Sequence, residues 1–464
     1  MYINNFFKTT VLLFALFFCY ACSDVILTDD QVMMQEDTAI PDKETFVSAE
    51  QAKEIAEAFF SRQSEGTIEK SSLKSFVDVS VETIKDQGNP LMYVINHPER
   101  GWTIVSATRN YFPVLAYSEE GSFELKSDEE MGPVIVWIEE TKEAIRLCEG
   151  LDNGKKAEIS SMWNEFEADR SQVPSGSTLK RYDPMEDACG ARMLQLYQQY
   201  GSSGWHILQR LSNASSYFDY YEYQNLCNLA NNLGSPPEYT IVMMKKYNTT
   251  QTIGPLLTTQ WHQRSPFIKS SLEPAGCVTV AMAQIMKFHR FPNLVTSPTN
   301  HRYNWDNMQD IAYYTNPTTS STPVLMEHIK DALFTSGSTS FDFSAKNNFQ
   351  NTYKYTANLK DYVFENVRDE INVGRPVYLS GHTNSILGIP AGDGHAWVCD
   401  GYSITKYITD YFIEFINPYS YTYSTQGYYT PSNPGASTIS YAYFHMNWGW
   451  VNSSKPDGWF ATNS

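Results

Sequence analysis

Cys277 stands where a cysteine side chain could act as a nucleophile. It follows Pro274-Ala275-Gly276, which interrupts regular structure, and it precedes apolar residues that recur at helical spacing through Phe288. This pattern predicts that Cys277 lies in the first turn of an amphipathic helix. Backbone N–H groups at a helix N-terminus stabilise a thiolate, which is the reactive form of cysteine. A buried cysteine that serves only as a small apolar residue is the alternative.

His395 is the residue that could act as a base for this thiol. It follows Gly392-Asp393-Gly394, a turn sequence, and opens the run 395–400, which reads as a strand. Alternation along that strand places His395, Trp397 and Cys399 on one face. An imidazole at the start of a buried strand, just past a glycine turn, is well placed to meet a cleft and take a proton. A hydrogen-bonded core histidine is the alternative.

An amide upstream of the cysteine could stabilise negative charge during a reaction. Gln263 precedes Cys277 by 277 − 263 = 14 residues. Its amide could donate to a developing oxyanion, together with the backbone N–H of Cys277. His395 follows the cysteine by 395 − 277 = 118 residues, a separation near that of papain-like enzymes.

A third group could orient the imidazole. Asn447 follows the predicted strand 441–446, and its side chain could fix the His395 ring. Trp448 and Trp450 could shield that contact from water, with two core tryptophans as the alternative. The order glutamine, cysteine, histidine, asparagine matches the Cys-His-Asn form of a catalytic triad.

Several blocks of sequence together resemble the streptopain family of papain-like cysteine proteases. They are Gly254-Pro255-Leu256-Leu257, Trp261-x-Gln263-x-x-Pro266-Phe267, Ala275-Gly276-Cys277-Val278-x-x-Ala281-Met282-Ala283-Gln284-Ile285-Met286-Lys287, Gly394-His395-Ala396 and Phe444-His445-x-Asn447-Trp448-Gly449-Trp450. An upstream stretch is similar to the inhibitory pro-domain of that family, through Tyr93-Val94-Ile95-Asn96, Gly101-Trp102-Thr103-Ile104-Val105-Ser106 and Pro113-Val114-Leu115-Ala116-Tyr117. The resemblance covers roughly residues 47–125 and 250–460.

The resemblance implies an α+β protein. A papain-like catalytic domain, with a central helix packed on an antiparallel sheet, would follow a separate small α+β pro-domain. Cys277 and His395 would form the catalytic dyad, Gln263 would donate to the oxyanion, and Asn447 and Trp448 would orient and shield His395. The pro-domain would block the cleft until proteolysis removes it. Protein or peptide substrates and the chain's own pro-domain are the expected partners.

The chain is expected to comprise five segments. These are a signal peptide over residues 1–22, a tether over 23–46, the pro-domain over 47–149, a connector with helices over 150–245 and the protease domain over 246–464. In the pro-domain, a capping box of Ser48 and Gln51 predicts a helix, and strands are predicted at 91–95, 102–105, 113–117 and 121–125. Residues 417–438, rich in Tyr, Ser, Gly and Pro, are interpreted as an inserted loop.

The N-terminus has the pattern of an export signal. Lys8 is the only charged residue before the apolar run 9–18, which is far shorter than the ~20 residues that span a bilayer. Ala21-Cys22 then resembles a bacterial lipoprotein signal, in which the cysteine takes lipid after cleavage. We therefore expect an exported protein, held in the cell envelope through lipid at Cys22 or, as the alternative, freely secreted.

Charge and motif content exclude other classes. Lys and Arg number 34 against 52 Asp and Glu, a net charge of −18, so the chain lacks the positive surface that nucleic acid requires. The His residues show no metal-ligand spacing and no phosphate-binding glycine loop is present, so we expect no metal ion or cofactor. Two other functions stay open: a cell-wall amidase or transpeptidase that uses the same dyad, and a non-catalytic surface binding or inhibitor lipoprotein.

Overall fold

The chain folds into two compact units. The computed structural model describes residues 2–5, 45–63, 79–98, 100–151, 183–200, 205–215, 220–269, 273–296, 300–311, 321–335, 341–386, 389–429, 438–450 and 456–462, with single positions between 156 and 166. One unit comprises Met1–Phe166, Ile253–Tyr402 and Phe444–Ser464, and the other comprises Glu167–Thr252 and Ser403–Tyr443. Cys22 and most of the expected tether lie outside the described residues. Among those residues, no helix combines the length and the apolar character that crossing a membrane requires.

The described residues contain both helices and strands, in runs of either kind as well as in alternation. The helices are α1 (Ala49–Gln63), α2 (Asp128–Met131), α3 (Val134–Leu147), α4 (Pro184–Tyr200), α5 (Tyr220–Asn232), α6 (Cys277–His289), α7 (Ser321–Thr335), α8 (Phe341–Asn347) and α9 (Phe364–Asn372). The strands are β1 (Tyr2–Asn5), β2 (Ser80–Asp86), β3 (Asn89–His97), β4 (Gly101–Ser106), β5 (Val114–Ser118), β6 (Trp205–Arg210), β7 (Ile241–Ile253), β8 (Leu294–Val295), β9 (His301–Arg302), β10 (Asn358–Asp361), β11 (Val377–Ile386), β12 (Ile389–Ile416), β13 (Tyr423–Tyr429), β14 (Thr438–Asn447) and β15 (Gly458–Ala461).

The N-terminal module has the predicted α+β content. The backbone N–H of Gln51 donates to Ser48 Oγ at 3.2 Å, and that of Ser48 donates to Gln51 Oε1 at 2.9 Å, so the predicted capping box opens α1. Strands β2 to β5 pair antiparallel in sequence order. Apolar residues of α1 and of this sheet, including Ala56 and Ile95, form a core of their own. The module can therefore bury a hydrophobic core without residues of the protease region.

The predicted strand at 121–125 is wrong, because residues 119–127 form no strand. The Asn96 side chain holds this segment instead: its Oδ1 accepts from the Phe123 N–H at 2.7 Å, and its Nδ2 donates to the Phe123 carbonyl at 2.9 Å. One side-chain amide here satisfies the backbone groups that a neighbouring strand would otherwise pair.

One sheet of the first unit runs through both the module and the protease region. Its strand order is β10-β1-β11-β12-β14-β15-β5-β4-β3-β2. The junction is the antiparallel pair β5–β15, in which Tyr117 lies opposite Trp459 and Ala116 opposite Phe460. The module is therefore joined to the protease region by backbone hydrogen bonds as well as by side chains.

The protease region is built around α6, as the apolar spacing predicted. Residues 278–286 of this helix are all buried. They pack with Leu325 and Ile329 of α7 on one side and with Tyr378, Ala396 and Val398 of the sheet on the other. A central helix on a sheet is thus the observed architecture, as predicted. The sheet is antiparallel at β11–β12, whereas β1 pairs parallel with β10 and β11 at its edge.

The second unit contains much of the segment that was interpreted as a connector. That segment holds helices α4 and α5, as expected, and in addition strand β6, which pairs with β7. Leu211, Leu226 and Val242 pack with Phe415 of β12 in a separate core. The stretch interpreted as an inserted loop also differs, because β13 pairs antiparallel with β12 over Tyr411–Ile416.

Candidate active site

Cys277 is the first residue of α6 and carries a free thiol. Gly276 precedes it with φ of 92°, a conformation that glycine adopts at little cost and other residues rarely adopt. The thiol accepts hydrogen bonds from the backbone N–H groups of Ala396, Val278 and Cys277 itself. Burial raises the pKa of the thiol and outweighs the lowering effect of these donors, and the charge of Asp342 raises it further.

His395 lies in β12, opposite Gly381 of β11, one residue before the Ala396 whose N–H reaches the thiol. Its half-buried ring meets the Trp450 ring edge-on, with 6.2 Å between centroids. The structure therefore brings Cys277 beside the strand that carries His395. The thiol's own partners are backbone N–H groups, so direct pairing of its sulfur with the His395 ring stays a prediction.

Gln263 has the properties that an oxyanion donor needs. The residue is buried, and its Nε2 has no hydrogen-bond partner among the described residues. Its backbone carbonyl accepts from the Ala275 N–H at 2.8 Å, two residues before the nucleophile candidate. A buried amide donor left unpaired costs free energy unless a ligand or water satisfies it, which makes Gln263 available for substrate.

Asn447 belongs to a closed network of buried amides. The Thr259 hydroxyl donates to Gln284 Oε1 at 2.8 Å, Gln284 Nε2 donates to Asn447 Oδ1 at 2.9 Å, and Asn447 Nδ2 donates to the Thr259 carbonyl at 2.8 Å. The Gly449 N–H also donates to Asn447 Oδ1, at 3.2 Å. The network ties the end of β14 to α6 and to the segment before it. The role of Asn447 in orienting His395 stays a prediction.

The two tryptophans of the predicted shield lie in different places. Trp448 is buried against Trp397 at 5.1 Å and Phe460 at 5.0 Å between ring centroids. Trp450 is the one whose ring contacts His395. The shielding of His395 by Trp448, which the resemblance implied, stays a prediction.

Two side chains of the site region, Asp342 and Gln284, have no role that the sequence predicted. Asp342, at the start of α8, accepts a hydrogen bond from the Tyr378 hydroxyl at 3.0 Å, and its charge acts on the Cys277 thiol. Gln284 anchors Asn447 from the middle of α6. Asp342 lies in no pattern that predicts chemistry. Gln284 lies in the motif block around Cys277 that carries the family resemblance, but the resemblance gave it no role. In the described part of the chain, no three His, Cys, Asp or Glu side chains cluster as metal ligands would.

A free thiol at the head of a helix that packs on a sheet, with the unpaired amide of Gln263 on a segment bonded to Ala275 just before it, fits the class of thiol hydrolases. Residues 258–460 match the Peptidase C10 family, and residues 44–145 match the Spi protease inhibitor. Residues 258–460 therefore form a domain of the Peptidase C10 or streptopain family, a family of cysteine peptidases, and residues 44–145 form a Spi inhibitor pro-domain ahead of it. This confirms the family resemblance drawn from the sequence.

Among solved structures, the chain is similar to a mutant fragment of prointerpain A from Prevotella intermedia. The two share 16% sequence identity with a TM-score of 0.40, over 83% of this chain and 92% of the other. No curated protein matches the chain.

Proposed function

We propose that the chain is a cysteine endopeptidase made as a zymogen. The Cys277 thiolate attacks the carbonyl carbon of a peptide bond, and a carbon–sulfur bond forms as the carbon–nitrogen bond breaks. His395 takes the thiol proton and passes it to the leaving amine, and water then hydrolyses the thioester. The amide of Gln263 and the N–H of Cys277 hold the oxyanion. The observation that carries this proposal is the free thiol at the head of α6 near an unpartnered buried amide.

Contacts made by the pro-domain support latency, that is, an inactive peptidase in the uncleaved chain. Trp450, which touches His395, donates through its Nε1 to the Glu130 carbonyl at 2.9 Å. Trp137 of α3 likewise donates to the Ala461 carbonyl of β15 at 3.3 Å. The pro-domain thus contacts the residue that touches the proposed base. Burial also disfavours the Cys277 thiolate in this state, because it raises the thiol pKa.

Replacement of the nucleophile tests the proposal. We expect that wild-type protein hydrolyses casein and shortens to a mature form under activating conditions, whereas Cys277→Ala and His395→Ala do neither. Cys227→Ala removes another partly buried thiol, which packs in the second unit, and serves as the matched control. Casein hydrolysis by Cys277→Ala at the wild-type rate would exclude this function.

We further propose that the protein is exported and is anchored through lipid on Cys22, or is secreted after cleavage nearby. The support is the short apolar run and the Ala21-Cys22 pair in the sequence. The mass and N-terminal sequence of protein recovered from membranes and from culture medium test this. An unmodified N-terminus that still includes residues 1–20, in protein from the cytoplasm, would contradict it.

A further inference from the structure

Asp342 is a half-buried carboxylate on α8 that two hydroxyl groups already hold. The Tyr378 hydroxyl donates to its Oδ1 at 3.0 Å, and the Ser380 side chain also hydrogen-bonds to it. A carboxylate offers about four acceptor positions, so two hydroxyl donors leave room for further donors. The carboxylate is therefore fixed in place without being saturated.

The charge of the fixed carboxylate acts on the proposed nucleophile. Ser380 of β11 pairs with Ala396 of β12, and the Ala396 N–H hydrogen-bonds to the Cys277 thiol. The Tyr378 hydroxyl interacts electrostatically with both Asp342 and Cys277. A peptide whose carbonyl carbon reaches the thiol would therefore come within the range of the Asp342 charge.

The negative charge of Asp342 is not balanced by a lysine or arginine. Among the described residues, no such side chain forms an ion pair with it, and the described positive charge that acts on it is that of His382 when its imidazole is protonated. A partly buried charge without a partner is costly. The amide oxygen of a neutral asparagine could accept from the same two hydroxyl groups. The hydrogen bonds alone therefore do not account for a carboxylate at this position.

The Asp342 charge also disfavours the Cys277 thiolate when no substrate is bound. Burial raises the pKa of the Cys277 thiol, and the Asp342 charge adds to that rise, so an unneutralised carboxylate opposes thiolate formation. A cation bound at Asp342 would remove this penalty. The arrangement therefore favours a substrate that carries positive charge close to the bond to be cleaved.

We infer that Asp342 is a specificity-determining residue that binds the lysine or arginine side chain of a peptide substrate beside the bond cleaved by Cys277. This inference rests on the proposed peptidase function. An ammonium or guanidinium group would donate to the open positions of the carboxylate, and such charge-assisted hydrogen bonds are among the stronger ones in proteins. Because burial raises the pKa of Asp342, this preference is expected to fade as the pH falls through that raised pKa.

The test compares activated wild-type protein with Asp342→Asn on peptides that carry Arg, Lys, Leu or Gln at each position around the cleaved bond. We expect wild type to prefer a basic residue at one position by at least about tenfold in kcat/KM. Asp342→Asn should lose that preference, so that its kcat/KM for peptides with Arg or Lys at that position falls to its own value for the matched Leu and Gln peptides. The alkylation rate of Cys277 should also begin to rise at lower pH in Asp342→Asn than in wild type.

Two further variants keep the test decisive. Asp342→Glu retains the charge and should retain the preference. Glu273→Gln removes an exposed carboxylate near Cys277 in sequence that already pairs with Lys330 at 3.1 Å, and should change nothing. Hydrolysis by wild type without a basic preference, or a preference that survives in Asp342→Asn, would overturn the inference alone. An absence of Cys277-dependent hydrolysis of any peptide would overturn the peptidase function, and the inference with it.

Discussion

Gln263 shows how a single residue can carry a functional interpretation. Its amide nitrogen is buried and lacks a partner among the described residues, whereas the amide nitrogens of Gln284 and Asn447 donate hydrogen bonds. Natural structures leave few buried donors unpaired, so an unpaired donor beside a nucleophile candidate points to a ligand. Gln284 differs from Gln263 in this respect, because its amide nitrogen donates a hydrogen bond to Asn447 Oδ1.

We expect Gln263→Ala to lower kcat by about 10²–10³ with little change in KM, because the lost donor acts on charge that develops only in the transition state. Peptide hydrolysis by the activated protein measures this. Gln260→Ala, three residues upstream at an exposed position, is the control and should stay at the wild-type rate. A change in kcat of less than threefold in Gln263→Ala would remove Gln263 from the proposed mechanism.

At the scale of elements, a charged pair links neighbouring strands β12 and β14. His445 Nδ1 lies 2.6 Å from Asp400 Oδ1, and the Asp400 side chain is fully buried. Asp400 Oδ2 also accepts from the Leu257 N–H at 2.9 Å, which fixes the segment that leads toward Gln263. Burial by itself would lower the pKa of His445, but the Asp400 charge and hydrogen bond outweigh it and raise the pKa.

His445→Asn should lower the free energy of unfolding by about 3–5 kcal/mol at neutral or mildly acidic pH, because it leaves the Asp400 charge buried and unpaired. The raised pKa sets the sign of the pH dependence. The stabilisation is fully present below the ordinary histidine pKa of about 6.5 and is lost as the pH rises through the raised value. Denaturant unfolding at a series of pH values measures both effects.

The control for this prediction is Lys269→Ala, which breaks a pair with Glu327 whose side chains are 39% and 31% exposed. Such a pair contributes about 0–1 kcal/mol. Either of two results would show that the Asp400–His445 pair is not a stabilising element. One is that His445→Asn lowers the free energy of unfolding no more than Lys269→Ala does. The other is that its free energy of unfolding depends on pH above neutrality as that of wild type does.

At the scale of the whole molecule, the pro-domain and the protease region meet where Gly132 packs on Trp450. Gly132 has φ of 61°, and a Cβ built there would overlap the Trp450 indole. Glycine is therefore required both by the backbone conformation and by the close approach of the ring. This contact couples the pro-domain to the tryptophan that touches His395.

Gly132→Ala should weaken latency, because the added methyl group pushes against Trp450 and strains the backbone. We expect Cys277 in the uncleaved chain to react with a small alkylating reagent at least about tenfold faster, which corresponds to about 1.4 kcal/mol. Gly88→Ala is the matched control, since Gly88 has φ of 88° with no atom near its built Cβ. Equal alkylation rates in Gly132→Ala and wild type would show that this contact does not maintain latency.

Short-range sequence patterns correctly predicted those helices and strands that are determined by residues close together in the sequence. The Ser48–Gln51 capping box, the β3–β4 hairpin and α6 after Gly276 depend on residues a few positions apart, and the structure has all of them. The prediction at 121–125 failed for the opposite reason. That segment pairs with the Asn96 side chain, 27 residues away from Phe123, and no short-range pattern records such a contact.

The sequence by itself determined the family, the α+β architecture and the position of Cys277 at the head of a helix. The family follows from the order of the motifs, and the architecture follows from the periodicity of apolar residues. The helix start follows from Gly276, because glycine adopts backbone conformations that other residues rarely adopt. Tertiary structure alone decided that Trp450 meets His395, that Asn447 bonds to Gln284 and that Asp342 lies beside the thiol. Packing brings these partners together across 55 to 163 positions of sequence, as with Trp450 and His395 (450 − 395 = 55) and Gln284 and Asn447 (447 − 284 = 163). The packing of α6 and α8 with the sheet decides which of the many polar side chains become neighbours.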